Sequence, residues 1–510
     1  MMNQRKLGSI ISYVQMALGV IVSLIYTPYM IKILGQSEYG LYNTVASTIS
    51  MMSVLSLGFN SSYIRYYSRY KEEQDTDSIY KLNGLFILIF SVIGMIALIC
   101  GLYISGHLEI VFKDGLTASE YTLARKLLIL LTINLAISFP MSVFADIISA
   151  HEQFIFLKLL GIVKTVCSPL LTIPLLFAGY RSVAIVTITI VLALFTDTMY
   201  LIFVIGHLKE RFVFRGFKRG LFREIFTYTS FIAINIVVDQ INWNIDKLLL
   251  ARYKGTVAVA VYSVGYTLNN YYSMVSTAIS GVFTPLVHRI INDTHSNLIV
   301  QRKQLTELFT RVGRVQFLIL ALVSSGLVFF GMPFIRFWAG EGYDDAYYVV
   351  LLLTLPATVP LIQNVGIEIQ RAQNKHKFRS IVYLLMALVN LGVSIVFCQW
   401  WGAIGSALGT AISLVLANGF LINIYYQKKC NIDVISFWKS ILRMFKGLVV
   451  PIVFGTLIMI FVEFHSFIQL ACWIVLYSVV YCINAWVFSM NKYEKELITI
   501  PLKKLVLKGK

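Results

Sequence analysis

Charge is what this chain most lacks. Asp, Glu, Lys and Arg make up 13% of its 510 residues, while hydrophobic residues reach 58%. A water-soluble domain carries about 25% charged residues, so that balance excludes a soluble globule. Cysteine is scarce too. Cys100, Cys167, Cys398, Cys430, Cys472 and Cys482 show no paired spacing, which excludes a disulfide frame and the common zinc patterns. His151-Glu152 resembles the start of a zinc-protease helix, but Ile155 stands where the second histidine is needed. No phosphate-loop signature is present: Gly402, Gly405 and Gly409 are followed by no Gly-Lys-Ser/Thr and read as a helix-packing face. No Ser/His/Asp or Cys/His spacing stands out. The expectation is therefore a non-enzyme, with no catalytic residue, cofactor or metal ligand.

What fills the chain instead is a succession of apolar runs from Leu7 to Phe488. Each is roughly twenty residues long, the length one helix needs to cross the hydrocarbon core. About fourteen such runs are read, the first near 9–33 and the last near 467–489. Arg5 and Lys6 precede an apolar stretch too long for a signal-peptide core, so it is read as a retained first helix. Both termini and every second connection then share one side. That side holds most of the 43 Lys and Arg, in Lys209–Arg223, Arg289–Arg314, Arg371–Arg379, Lys428–Lys446 and Lys492–Lys510. The asymmetry marks it as cytoplasmic. The net charge of +18 is thus a topology signal and an attraction to anionic membrane lipids, with no nucleic-acid partner expected.

A faint repeat runs through the pattern at an offset near 220 residues. Gly35 and Tyr42 match Gly255 and Tyr262, Lys32 falls opposite Arg252, and Ala150 and Phe156 correspond to Ala372 and Phe378. Six spans separate the matched points, so the halves would be parallel, an arrangement typical of transporters. The expected fold is an all-α integral membrane protein with two six-helix lobes, 1–206 and 225–426. A basic cytoplasmic linker, 207–224, joins them, and 427–510 adds two helices and a basic tail.

Four spans carry polar residues at helical spacing, and they are equivalent pairs of the two halves. Span one has Ser12, Gln15, Gly19, Ser23 and Tyr26; span two has Ser53, Ser56, Asn60, Tyr63 and Tyr67. Span seven has Tyr228, Asn235, Asp239, Asn242 and Asp246; span eight has Tyr262, Tyr266, Asn269, Ser273, Ser276 and Ser280. Each set points one way, and lipid cannot hydrogen-bond it. The stripes either glue helices together or line a shared hydrated cavity. Asp239, near the middle of span seven, is a proton- or cation-coupling candidate or an acceptor for neighbouring amides. Asp246 and Lys247 sit near the outer end of that span, where an interfacial position would suffice. Asp146, Lys164 and Asp197 read as one neutralising cluster or, in the sharper account, Lys164 as a phosphate contact. Arg65, just beyond Asn60 at the cytoplasmic mouth, is either a topology-setting arginine or a bidentate partner for an anionic head group.

These features resemble the polysaccharide branch of the multidrug/oligosaccharidyl-lipid/polysaccharide exporter superfamily, the O-antigen-type flippases. The residues behind the likeness are Pro28 with Ile33-Leu34-Gly35-Gln36-Ser37-Glu38-Tyr39-Gly40-Leu41-Tyr42, then Gly58 through Tyr66. Asp246-Lys247 with Gly255 and Tyr262, and Gly402-Ala403-Ile404-Gly405-Ser406-Ala407, complete it. The resemblance implies a flippase of the bacterial plasma membrane moving polyprenyl-diphosphate-linked oligosaccharide outward, for lipopolysaccharide or capsule-type polysaccharide. Polysaccharide polymerase and glycosyltransferases would be its partners. The implied cavity set is Gln15, Asn60, Arg65, Lys164, Asn235, Asp239, Asn242, Asn269 and Ser273. The alternative is a proton- or sodium-coupled small-molecule exporter of the same superfamily.

Overall fold

The computed structural model describes residues 4–113, 116–217, 220–293 and 297–508, and among them every regular element is helical. Long apolar runs in lipid have little choice, because a helix is the simplest way to satisfy each backbone N–H and C=O internally.

Contacts divide the chain into two compact units. The first is Met1–Ser263 with Leu391–Ser406. It contains α1 (Gln4–Met52), α2 (Phe59–Glu72), α3 (Thr76–Gly106), α4 (Ala118–Ala150), α5 (Phe154–Phe177), α6 (Arg181–Ile202), α7 (Leu221–Tyr253) and the opening of α8 (Thr256–Ser280). The second is Val264–Asn390 with Ala407–Lys510. It holds the rest of α8, α9 (Thr284–Asp293), α10 (Leu298–Ala339), α11 (Asp345–Leu361), α12 (Val365–Ala372) and both ends of α13 (His376–Leu414). It ends with α14 (Ile422–Lys429), α15 (Val434–Met444), α16 (Val449–Phe461), α17 (Phe467–Asn484) and α18 (Lys492–Lys508). This grouping follows contact and not the sequence repeat, since α7 packs on α1 and α2.

Length and apolarity pick out ten membrane-crossing helices among the described residues, or eleven with the bent pair α11 and α12 taken as one. The sequence reading gave fourteen spans. Two of the ten are broken helices: Gly35 (φ 74°) interrupts α1 and Gly402 (φ 56°) interrupts α13, each in the left-handed region that suits glycine. That count concerns the described residues, and within α7 the side chains at 231, 234 and 235 lie outside them.

Span two is not the continuous helix its periodicity suggests. After α1 ends at Met52, a 3-10 turn covers Ser53–Ser56, Leu57 takes φ 49° and Gly58 φ 80°, and α2 begins at Phe59. A Cβ on Gly58 would also lie 2.5 Å from the Ile232 side chain of α7. Broken helices in transporters expose backbone groups where a cavity can use them.

The first unit is cemented by a buried aromatic cluster. Tyr63, Phe86 and Phe90 are fully buried, and Tyr63 meets Phe86 edge-on at 5.2 Å between centroids. Such pairs contribute about 0.5–1.5 kcal/mol beyond burial. The second unit has its own core around Phe309, Tyr426 and Phe437. Many large side chains instead face outward, Phe177 and Phe461 among them, as lipid contact permits.

Candidate substrate cleft

The break before α2 sets the direction of its polar face. Asn60, in the first turn, donates from Nδ2 to Asp146 Oδ2 of α4 at 2.7 Å. Ser62 shares a 2.8 Å hydrogen bond with Thr229 of α7. One turn on, the Arg65 guanidinium is exposed and lies 4.3 Å over the ring of Tyr228. A cation held on a ring face keeps its planar fork free for an anion.

Beside this helix is a cavity of about 470 Å³, lined by Ser9 and Ser12 of α1, Ile64 and Ser68 of α2, Ser149 of α4 and Lys158 of α5. Glu152 completes its charged lining. Ser12 is held by a 2.8 Å hydrogen bond to Gly8 O, and Gln15, one turn further, reaches across to Gly161 of α5. The space is partly open, and its lining combines apolar surface from Ile64, Ala150 and Phe154 with several hydroxyls and the charges of Glu152 and Lys158. It suits sugar hydroxyls and a phosphate more than an apolar guest.

The structure sorts the expected site residues. Gln15 of α1 approaches Gly161, and Asn60 and Arg65 of α2 meet Asp146 and Tyr228; the described lining of the cavity includes none of the three. Asp239 is exposed and Asn242 half-buried on α7; the side chain of Asn235 lies outside the described residues. In the second unit Asn269 is buried and Ser273 half-buried on α8. Of the expected acidic–basic cluster, Lys164 is the charge acting on Asp197, and Asp146 accepts its hydrogen bond from Asn60. The basic residue lining the cavity is Lys158, six residues before Lys164 in the sequence and easily taken for a topology charge.

Two further networks escaped the sequence. At the basic end, Tyr63 donates to Asn83 (2.7 Å), Asn83 donates to Glu210 (2.9 Å), and His151 lies 3.1 Å from Glu210. Val213 N also donates to Tyr80 O at 3.0 Å, so the start of the linker is docked on the unit. At the other end, Asp246 is 1% exposed. It accepts 2.7 Å from Ser406 and 2.8 Å from Tyr262. Two of the short motifs therefore meet in space. Glycine is required nearby, because a Cβ on Gly40 would fall 1.8 Å from Thr256 O.

The polysaccharide biosynthesis protein family matches residues 7–291. The chain belongs to that family. Among curated relatives it is similar to the uncharacterized membrane protein EpsK of Bacillus subtilis (strain 168), 22% identical over 500 residues and covering 94% of both chains. Among solved structures it is similar to the lipid II flippase MurJ in an inward closed conformation. The TM-score is 0.69 at 18% identity, over 94% of this chain and 98% of that one. It is also similar to an inward-facing multidrug resistance MATE family transporter of the MOP superfamily. That TM-score is 0.62 at 13% identity, over 83% and 94% of the two chains. The family and the fold thus agree with the resemblance drawn from the motifs, and the protein is a multi-pass membrane protein.

Proposed function

We propose that this protein carries a polyprenyl-diphosphate-linked oligosaccharide from the inner to the outer leaflet of the bacterial plasma membrane, for surface polysaccharide assembly. It acts as a carrier by alternating access, not as an enzyme. A glycan cannot cross hydrocarbon unassisted, because each hydroxyl moved out of water without a partner costs about 2–7 kcal/mol. A hydroxyl-lined cleft offers those partners while the lipid tail stays in the bilayer. In this reading Arg65 meets the diphosphate first, Lys158 follows, and Ser12, Ser68 and Asn60 contact sugar.

The observation that carries the reading is an exposed Arg65 fork on α2, the helix whose Ile64 and Ser68 line a cavity bearing several serines, in a chain of the polysaccharide biosynthesis family. The test is deletion followed by complementation with Arg65→Ala and Arg65→Lys. Surface polysaccharide and the lipid-linked precursor in each leaflet are then measured. Deletion and Arg65→Ala should strand precursor in the inner leaflet, with Arg65→Lys retaining part. Normal assembly by well-expressed Arg65→Ala would dismiss the role.

The rival, a proton- or sodium-coupled exporter of small molecules, draws on Asp239, whose carboxylate is exposed on α7. It predicts drug efflux that collapses with Asp239→Asn while the glycan is untouched.

A further inference from the structure

The second unit contains a cavity that the transport reading does not use. It measures about 710 Å³ and lies between the opening turns of α10, the helix α15 and the start of α18. Helix α10 has 42 residues, about twice what a bilayer core needs, and the cavity touches only its charged opening turns, from Ile299 to Arg314. It therefore stands at the basic end of a span and not in hydrocarbon.

Its back wall is fixed. Arg314 is 8% exposed and donates to both carboxylate oxygens of Glu494, at 2.6 and 2.9 Å, and to Ser440 Oγ at 3.1 Å. That pair is neutral and fastens α18 to α10. Arg311 lies 4.3 Å over the ring of Tyr493 and donates to Glu307 at 2.6 Å. Asp433, the N-cap of α15, accepts from the Ser436 hydroxyl and amide at 2.7 and 3.1 Å. Those hydrogen bonds hold its carboxyl below the usual carboxylate range.

Two cations in the lining stand apart from these pairs. Arg302 and Lys303 are exposed and join no ion pair among the described residues, although Arg302 acts on Asp433 through space. Thr306, Thr310, Ser436 and Ser440 line the same cavity with hydroxyls. Cations with adjoining hydroxyls form the chemistry that holds a phosphate, through charge-assisted hydrogen bonds to its oxygens and neutral ones to the ester. At the first turn of α10, Leu298 and the lining residue Ile299 are 64% and 84% exposed, an apolar edge suited to acyl chains.

We propose that this cavity binds the phosphate of an organic phosphate on the basic side of the membrane. An anionic lipid headgroup and a soluble phosphate ester share that chemistry. The proposal does not depend on what the protein transports.

The test uses the full chain purified in detergent, with two probes. Retention of phosphatidylglycerol is read by native mass spectrometry, and binding of glycerol 1-phosphate by equilibrium dialysis. At least one probe should bind. The double substitution Arg302→Ser, Lys303→Ser should weaken it about tenfold or more, while Arg69→Ser leaves it unchanged. Loss in the lipid arm assigns a headgroup; loss in the dialysis arm assigns a soluble ester. Both side chains are exposed, so the variant should stay monodisperse; if it does not, Lys303→Glu alone should produce the same loss. Binding of neither probe, or equal binding by a folded variant, overturns the proposal.

Discussion

Helices α2 and α8 carry polar stripes of similar composition, yet the structure uses them differently. The face of α2 ends in an open cleft: Asn60 meets a carboxylate, Ser68 lines a cavity and Arg65 is exposed on Tyr228. The face of α8 is consumed by packing. Tyr262 is bonded to the buried Asp246, and Tyr272 shares a 2.6 Å hydrogen bond with Thr358. Ser276, fully buried, donates to Leu361 O at 2.9 Å and is approached by the amides of Gln316 and Asn364. Both readings of a polar stripe, glue and cavity lining, thus occur in one chain. What separates them is whether a partner helix supplies the hydrogen bonds or leaves them to water or a ligand.

The comparison can be broken most forcefully at Asp246. Asp246→Ala strands two buried hydroxyls and the 8% exposed Lys247. Removing one member of a buried charged set costs about 3–5 kcal/mol, so a large fall in the detergent melting temperature is expected. An unchanged melting temperature would mean that this end is not structural glue. Arg65→Ala comes next and should act in the opposite manner. The protein folds normally, while transport falls about tenfold or more, as expected for a lost charged contact of about 1.5–3 kcal/mol. Tyr228→Leu, measured in the same assay, should lose about two- to thirtyfold through the cation–π contact, at about 0.5–2 kcal/mol, with Tyr228→Phe close to native. The smallest effect is expected from Ser276→Ala, about 0.5–1.5 kcal/mol of stability with transport intact. A transport defect there without a loss of stability would erase the distinction.

Much of this fold was legible because membrane helices announce themselves by length and apolarity. The polar stripes were legible for the same reason, since Asn, Ser and Tyr at helical spacing stand out against apolar surroundings. Three features were not. The break at Ser53–Gly58 hides inside a stripe whose serines fit an unbroken helix equally well. The bond from Ser406 to Asp246 joins residues 160 apart, a pairing that periodicity cannot supply even though both motifs had been noticed. Lys158 stands at a span's basic end, where a lysine usually sets topology, and only the fold places it in a cavity.

The account stands on the α2 cleft being wet and the α8 stripe sealed. Single cysteines at Ser12, Ser68, Asn269 and Ser276, in a chain whose six native cysteines are replaced, should be probed in membranes with an impermeant maleimide. Ser12→Cys and Ser68→Cys are predicted to label rapidly from the cytoplasmic face, and Asn269→Cys and Ser276→Cys to stay unlabelled. Inert cysteines at 12 and 68 alongside reactive ones at 269 and 276 would contradict it.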